Sequence, residues 1–350
     1  MSVKCRHGGR FYPAASILLF SLFGVWPAVT ALSGSAQPRA TAIDSLENVW
    51  LGGVRQKILI EGDDPTRPIL LWLHGGPGSS QMLLSHYYSK RLRDQVVMVN
   101  WDTRGASLSY DEGKHPETLD FQRMISDTVE LTDLLCKRFK QEKIYLLGHS
   151  FGSVLGMHVV SRFPQRYHAY IGMGQVIDPI RSPRLVRNWV ESEMRRAEDS
   201  EGLRALWENS VPLIELVRRY GGMRHNPDPS FADVVRASPY YFDGYLDLHT
   251  RSRRFVEANL KGSNAERDRF IETMPVLELP VYFFEGRFDR CPAATPGLVV
   301  EYCARLKAPA KEIIWFEQSA HHPNLEQPEE FQDAILRVVS AYNATSGRQD

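Results

Sequence analysis

The sequence has no excess of charge of either sign. Its 350 residues include 42 Lys and Arg and 42 Asp and Glu, so the formal net charge is zero. Proteins that bind nucleic acid through its phosphates carry a basic patch or a basic tail, and no block of like charge occurs here. The composition therefore predicts no nucleic-acid partner, and any other partner has to be argued from a local site.

The sequence also lacks an uninterrupted apolar run of the about 20 residues that a membrane-spanning helix needs. Residues 14–25 come nearest, but Ser16, Ser21 and Gly24 interrupt them. Basic residues precede this stretch and small residues follow it, which is the layout of a secretory signal peptide. Residues 1–36 are therefore predicted as a signal peptide, with an uncleaved anchor as the alternative. We expect a periplasmic or secreted mature protein without a stable membrane span.

Cysteine is scarce, with four residues in the chain. Cys5 would leave with the signal peptide. Cys291 and Cys303 are close enough in sequence for a small-loop disulfide in an oxidising compartment. Because sequence does not give the distance between their Cα atoms, unpaired thiols at Cys136, Cys291 and Cys303 are the alternative.

Apolar runs of strand length alternate with segments of helical spacing. The predicted strands are 48–51, 55–60, 69–73, 96–101, 144–147, 169–173, 281–284 and 313–316, and the predicted helices are 80–93, 121–139, 153–163 and 328–342. The first two strands form a hairpin at Gly52-Gly53. Strands that are apolar on both faces must be covered on both faces, so the prediction is an α/β fold with a mostly parallel sheet.

A segment of different character divides this pattern. Residues 178–274 are rich in Arg and Glu, show helical spacing at 185–196, 203–220 and 255–260, and contain no convincing buried strand. We interpret the segment as an inserted helical cap. The sheet-forming core is then made of residues 37–177 and 275–350.

The sequence Gly148-His149-Ser150-Phe151-Gly152 lies between a predicted strand and a predicted helix. This is the context of a nucleophile elbow, in which a serine sits on a sharp strand-to-helix turn. The flanking glycines allow backbone segments to approach closely, and the helix N-terminus favours negative charge at Ser150. A plain turn is the alternative for these five residues taken alone.

A second glycine cluster, His74-Gly75-Gly76-Pro77-Gly78, follows the predicted strand 69–73. A serine that attacks a carbonyl creates an oxyanion, which backbone N–H groups stabilise. The predicted donors are the amides of Gly76 and Phe151. Pro77 has no N–H and can only shape the loop.

A serine nucleophile needs a base and an acid that orients the base, and in this architecture they follow it in the order acid, histidine. Asp289 follows the strand 281–284, and His321 follows the strand 313–316. Ser150, Asp289 and His321 are therefore predicted as the catalytic set.

His322 is the alternative base. Arg287 and Arg290 flank Asp289 in the sequence and are expected to lower the pKa of Asp289 if they lie close to it.

These segments, together with Asn-Trp-Asp-Thr-Arg-Gly-Ala-Ser-Leu-Ser at 100–109 and the histidine segment 319–331, resemble the α/β-hydrolase superfamily. Within it, the chain is similar to the proline iminopeptidase group of serine peptidases over residues 48–343. The resemblance implies an α/β-hydrolase fold and a serine hydrolase that forms an acyl-enzyme and releases N-terminal residues, especially proline, from small peptides. It implies that Asp102 and Arg104 are structural.

The sequence departs from that group at Ser107, His149 and Phe151, and the last two are closer to general esterases. The group uses acidic cap residues to hold the amino group of its substrate. Among the acidic side chains of the predicted cap, six are candidates for this role, and no motif selects one of them: Glu191, Glu193, Glu208, Glu215, Asp243 and Asp247. The aromatic segment 238–245 either lines a pocket for an apolar or prolyl group or packs inside the cap.

Three functions follow from these observations. The first is a proline iminopeptidase-like serine hydrolase, the second is a carboxylesterase or lactonase, and the third is a binding protein of the same fold without catalysis. The substrate is a small molecule or a short peptide, and the oligomeric state is left open. No cofactor or metal is predicted, because His321-His322 has no partner at ligand spacing and the glycine clusters lack the Lys of a phosphate loop.

Overall fold

A computed structural model describes residues 42–262 and 268–346. The predicted signal peptide at 1–36 and Cys5 lie outside the described residues, so that assignment stays a prediction. The described residues form one sheet of eight strands. These are β1 (Ile43–Leu51), β2 (Val54–Gly62), β3 (Ile69–Leu73), β4 (Val97–Asp102), β5 (Ile144–His149), β6 (Tyr167–Met173), β7 (Val281–Gly286) and β8 (Lys311–Phe316).

The sheet has the order β1-β2-β4-β3-β5-β6-β7-β8. β1 and β2 form the predicted hairpin, and β2 pairs with β4 in antiparallel register. Every pair from β4 through β3 to β8 is parallel. The predicted mostly parallel sheet is confirmed, and its parallel strands all end at the same edge.

The apolar runs form central strands because both of their faces are buried. Along β3, Ile69, Leu71 and Leu73 pack into one hydrophobic cluster, whereas Leu70 and Trp72 pack into the cluster on the other face. This alternation is the two-residue period of a strand. Helices cover both clusters, as the α/β prediction requires.

The described residues contain twelve α-helices. They are α1 (Ser85–Tyr88), α2 (Phe121–Phe139), α3 (Phe151–Arg162), α4 (Arg181–Arg196), α5 (Ser200–Glu208), α6 (Leu213–Arg219), α7 (Phe231–Arg236), α8 (Tyr245–Asn259), α9 (Phe270–Thr273), α10 (Pro296–Arg305), α11 (Pro323–Glu326) and α12 (Pro328–Ser346). Residues of α2, α3 and α10 belong to one cluster, and residues of α12 belong to the other.

Two predicted helices were wrong in extent. Residues 80–93 form a 3₁₀ turn at Met82–Leu84 followed by the short α1. The three residues of that turn are consecutive and all buried, which does not fit one face of an amphipathic helix. Residues 203–220 contain two helices, α5 and α6, which are interrupted before Pro212 because proline lacks the N–H of a continuing helix and clashes with its preceding turn.

Helices α4 to α9 lie in the segment between β6 and β7, where the cap was predicted. Helix α8 is tied to the core because Ser252 Oγ accepts the Ser107 N–H at 2.9 Å and Tyr245 Oη accepts the Ser107 hydroxyl at 3.0 Å. Val256 lies against Gly78 of the glycine loop, where a Cβ would approach the Val256 Cβ to 2.9 Å. The underside of α8 is therefore fixed on the loops that follow β3 and β4.

The aromatic segment 238–245 packs rather than lining a pocket at Ser150. Tyr240, Tyr241 and Tyr245 join the hydrophobic cluster on the β3 face that contains Trp72. No residue of this segment borders either cavity at Ser150. Of the two interpretations offered by the sequence, the structure has packing rather than a pocket lining, and the packing is against the core cluster on one face of the sheet rather than inside the cap.

Cys136, Cys291 and Cys303, the cysteines within the described residues, are free thiols in this structure. The structure thus has the unpaired alternative. No helix among the described residues is long and apolar enough to cross a membrane.

Candidate active site

Ser150 occupies the turn between β5 and α3, with φ 54° and ψ −120°. This positive φ is strained for a residue with a side chain, at a cost of about 1–3 kcal/mol. The turn is held from both sides, because the Ser150 N–H donates to the Met173 carbonyl at 3.0 Å and the Ser150 carbonyl accepts the Ser153 N–H at 2.8 Å. The Ser150 hydroxyl makes no capping hydrogen bond with α3 and borders the cavities described below.

The glycines around Ser150 are required by close backbone contacts. A Cβ on Gly152 would lie 2.2 Å from the Leu73 carbonyl oxygen, and a Cβ on Gly148 would lie 2.4 Å from the Gly152 carbonyl oxygen. Neither neighbour can move without displacing a strand or the helix start. The predicted nucleophile elbow is therefore the local structure at Ser150.

The glycine loop after β3 passes directly beside the elbow. A Cβ on Gly75 would lie 3.1 Å from the Ser150 Cβ. Gly76 and Phe151 both border the same cavity as Ser150. Phe151 is the first residue of α3, whose N–H has no partner within the helix. The structure thus brings both predicted oxyanion donors to Ser150, and their role stays a prediction.

Asp289 and His321 follow β7 and β8 at the same sheet edge as Ser150, where ligands of open α/β sheets bind. His321 Nδ1 lies 2.8 Å from Asp289 Oδ2, and Asp289 Oδ1 accepts the Cys291 N–H at 2.7 Å. His321 and Ser150 border one cavity. His322 is partly buried and also borders this cavity, but its Nδ1 has no hydrogen-bond partner and its ring packs on His149. The geometry favours His321 as the base.

The electrostatics of this pair suit a base that is held by a charged acid. Burial alone would lower the pKa of His321, but the Asp289 carboxylate and the neighbouring Cys291 together outweigh burial and hold that pKa well above its usual value. A second carboxyl, Glu285, is fully buried in β7. Burial raises the pKa of Glu285 well above its usual value, and the charge of Asp289 adds to this effect. A neutral Glu285 leaves Asp289 as the charged partner of His321.

Arg287 and Arg290 were expected to act on Asp289 only if they lay close to its carboxylate, and their hydrogen bonds go to other groups. Arg287 pairs with Glu317 at 2.8 Å and lies over the Trp315 ring. Arg290 donates to the backbone carbonyl of Asp289 at 2.7 Å. Neither guanidinium bonds the Asp289 carboxylate, because both side chains extend outward from a loop whose carboxylate faces inward.

Asp102 and Arg104 lie beneath the site. Arg104 forms a buried ion pair with Asp127 at 2.6 Å, and Asp102 Oδ2 accepts the Leu108 N–H at 2.9 Å. Burial raises the pKa of Asp102 to about 7. Both residues hold the loop after β4, which is the structural role that the resemblance implied.

Two cavities meet at Ser150. One, of about 590 Å³, has mostly apolar walls that include Val154, Val176 and Leu260. The other, of about 500 Å³, is lined by charged side chains. These are Glu215, Arg218, Arg253 and Glu257. Glu257 borders both cavities.

Of the six acidic side chains that the sequence offers in the cap, Glu215 is the one that borders a cavity at Ser150. Glu191, Glu193 and Asp247 pair with arginines three or four residues away on their own helices, as Glu215 does with Arg218, but these three do not border either cavity. Sequence analysis missed Glu257. The position of Glu257 depends on how α8 packs on the core. Ser252 and Val256 lie on the buried face of α8, and this packing places Glu257 at the cavity.

Gly174, directly after β6, was also missed. It has φ +52°, and a Cβ there would lie 2.8 Å from both Cε1 and Nδ1 of His321.

We expect Gly174→Ala to displace the His321 imidazole and lower kcat/KM about 10- to 100-fold, because small misplacements of reacting groups are costly. Steady-state kinetics on folded protein measure this. Gly53→Ala is the control, since Gly53 also has positive φ but has open space around its Cβ; equal losses in the two variants would contradict the prediction.

The family model described as "Serine aminopeptidase, S33" matches residues 64–328. The chain belongs to the S33 serine aminopeptidase family. The matched range includes the elbow, the glycine loop, the cap and both residues of the Asp289–His321 pair. Membership makes the protein a hydrolase of the α/β-hydrolase fold, so the superfamily that the sequence resembles is confirmed.

Relatives of this S33 chain carry aminopeptidase names. Probable aminopeptidase YbaC of Bacillus subtilis (strain 168) is 29% identical over 315 residues, which cover 86% of this chain and 98% of that protein. The proline iminopeptidase of Heyndrickxia coagulans is 24% identical over 271 residues, covering 75% of this chain and 87% of that protein.

The crystal structure of a proline iminopeptidase from Mycobacterium smegmatis superposes with a TM-score of 0.66. The match covers 86% of this chain and 100% of that chain at 18% identity. At this identity the likeness supports the fold alone.

Proposed function

We propose that this protein is a serine aminopeptidase that releases N-terminal residues, proline above all, from small peptides through an acyl-enzyme. The observation that carries the proposal is the position of Ser150 at the junction of an apolar and a charged cavity, with Glu257 in the wall of both. An N-terminal proline has an apolar ring and a charged amino group, and this arrangement has a place for each.

The chemistry follows from the residues around Ser150. Its hydroxyl attacks the substrate carbonyl while His321 accepts the proton, and Asp289 orients the imidazole. The amides of Gly76 and Phe151 stabilise the oxyanion. His321 then donates the proton to the departing amine, which leaves an acyl ester on Ser150. Water attacks that ester while His321 accepts its proton, and His321 then returns the proton to Ser150 Oγ as the acyl–oxygen bond breaks and the free acid leaves.

The two cavities divide the substrate. The prolyl ring occupies the apolar cavity beside Val154 and Leu260, and the amino group faces Glu257. In the present structure Glu257 Oε1 lies 3.5 Å from Arg253 Nη1. This is a long, half-exposed contact, so a substrate ammonium can replace the arginine at little cost. The rest of the peptide extends into the charged cavity.

Glu257→Gln tests the recognition of the amino group. We expect kcat/KM for a free prolyl anilide to fall about 10- to 100-fold, because a charge-assisted hydrogen bond is lost. Hydrolysis of a short-chain nitrophenyl ester should change less than about twofold, since the ester has no amino group to bind. Parallel kinetics on the two substrates measure the difference.

Glu208→Gln is the matched control, because Glu208 is an exposed cap glutamate that borders neither cavity. A prolyl anilide whose nitrogen is acylated should not be cleaved by the parent enzyme. Cleavage of the blocked anilide as fast as the free one would contradict the aminopeptidase proposal. Turnover of the ester alone would identify the carboxylesterase alternative.

A further inference from the structure

Three loops at the site are joined by buried polar side chains that the proposed mechanism does not use. Gln81 follows the glycine loop, His149 directly precedes Ser150, and Asn324 follows the two histidines. These residues are 5%, 2% and 0% exposed, respectively. Polar groups buried to this degree are costly unless they are paired, so their hydrogen bonds indicate what holds these loops together.

The side chains form one continuous chain of hydrogen bonds. Asn324 Nδ2 donates to Gln81 Oε1 at 3.0 Å. Gln81 Nε2 lies 2.7 Å from His149 Nδ1. His149 Nε2 lies 3.0 Å from the backbone carbonyl oxygen of His321. The chain therefore ends on the main chain of the residue assigned as the base.

The backbone carbonyl of His321, at the end of this chain, determines which atom donates in each hydrogen bond of the network. A carbonyl oxygen can only accept, so His149 Nε2 must carry a proton. Burial lowers the pKa of His149 to about 3, so the ring is neutral and Nδ1 is an acceptor. Gln81 must then present its amide nitrogen to Nδ1 and its oxygen to Asn324. The network has one consistent arrangement of donors and acceptors.

We propose that His149 and Gln81 are positioning residues that hold the backbone of His321 in register with Ser150. This inference rests on the proposed function, because it assigns His321 as the base. His149 is adjacent to Ser150 in sequence, and its ring lies 4.9 Å from the His321 ring. His149 thereby positions the loop that carries His321, while Asp289 orients the His321 ring through Nδ1.

The proposal predicts a change in chemistry with little change in binding. His149→Phe keeps a ring of similar size but removes the donor to the His321 carbonyl. We expect kcat per active site to fall about 10- to 100-fold, because the base is misplaced, while KM changes less than about twofold. His149→Gln, whose Nε2 can reach the same carbonyl, should recover most of this loss.

The pH profile separates positioning from mere stability. The titratable groups that face His321 are Asp289, Glu285, Cys291, His149 and His322. If the His321 loop shifts, its contact with Asp289 loosens and the raised pKa of His321 falls. The acid limb of kcat/KM should therefore move to lower pH in His149→Phe and return towards the parent position in His149→Gln.

Gln81→Glu provides a second variant of nearly unchanged size. A carboxylate cannot donate to Nδ1, so it keeps the contact only if His149 becomes protonated. We expect a smaller fall in kcat than in His149→Phe, because the donor from His149 Nε2 to the His321 carbonyl remains. His86→Phe is the control, because His86 is half-buried on α1 and contacts the Leu83 carbonyl, away from this network.

The experiment measures kcat, KM and the pH profile of all four variants, with active sites counted by a fluorophosphonate. Lower kcat with unchanged KM, a shifted acid limb and rescue by His149→Gln would support the proposal. Parent-like kcat per site and an unmoved limb in His149→Phe would overturn it, as would a His149→Gln variant no better than His149→Phe. Turnover by Ser150→Ala would instead refute the proposed function.

Discussion

Ser150→Ala is expected to lower kcat/KM for a prolyl anilide and for a nitrophenyl ester by about 10⁴-fold or more. Both reactions require Ser150 to form an acyl-enzyme, so the rates of both should fall together, whichever acyl group the cavities prefer. Activity that remains would come from binding and from the oxyanion donors alone. Steady-state kinetics at enzyme concentrations high enough to detect such a loss measure the effect.

The structural reason is the strained turn. Ser150 is held at φ 54° by contacts on both sides, and its hydroxyl is at the junction of the two cavities. Alanine keeps the Cβ and the turn, so the fold should be unchanged. Ser161→Ala is the control, since Ser161 is an exposed serine later in α3. Activity of Ser150→Ala within tenfold of the parent would show that Ser150 is not the nucleophile.

Asp289→Asn should be the next most damaging change, with kcat/KM reduced about 10³- to 10⁴-fold, as is found when the orienting acid of a serine triad is amidated. The Cys291 N–H donates to Asp289 Oδ1 at 2.7 Å, so the asparagine oxygen should remain there. The amide nitrogen then faces His321 Nδ1 and forces that atom to accept. The proton moves to Nε2, where the base needs a lone pair.

The same substitution should shift the pH dependence in a defined direction. The base works in its neutral form, and the Asp289 carboxylate holds the pKa of His321 well above the usual value. In the parent enzyme kcat/KM therefore falls as pH drops through that raised pKa. Removing the negative charge lowers the pKa, so the acid limb of Asp289→Asn should lie at lower pH.

The comparison for Asp289→Asn is Asp247→Asn, because Asp247 is exposed on α8 and pairs with Arg251. Its rate and pH profile should match those of the parent. An acid limb in Asp289→Asn that stays in place would mean that another group, not His321, titrates as the base.

Local sequence patterns predicted the sheet, and they identified three residues that the structure places at one sheet edge, Ser150, Asp289 and His321. The continuous apolar run at Ile69–Leu73 is buried on both faces, as that pattern indicates. The elbow at Ser150 could be predicted because the two glycines flank the serine in a short local pattern between a strand and a helix, although the contact that requires Gly152 is with the distant Leu73 carbonyl. Asp289 and His321 could be predicted because each follows a strand that ends at the same sheet edge.

Features that depend on long-range packing could not be predicted in this way. Gln81 meets His149 across 68 residues, and His149 meets His321 across 172 residues. Glu257 reaches the cavity because α8 is anchored at Ser107 and Gly78, which no helical period reveals. Arg287 has the right position in sequence to influence Asp289, yet its side chain extends away to Glu317.

Labelling with a fluorophosphonate tests directly whether Ser150 is the nucleophile, because this reagent reacts with an activated serine whatever the natural substrate is. The nucleophile attacks phosphorus and displaces fluoride, which leaves one phosphonyl group on the serine oxygen. We expect one adduct per chain by intact mass, carried on the peptide that contains Ser150 and absent from Ser150→Ala. Equal labelling of parent and Ser150→Ala, or an adduct on another residue, would contradict it.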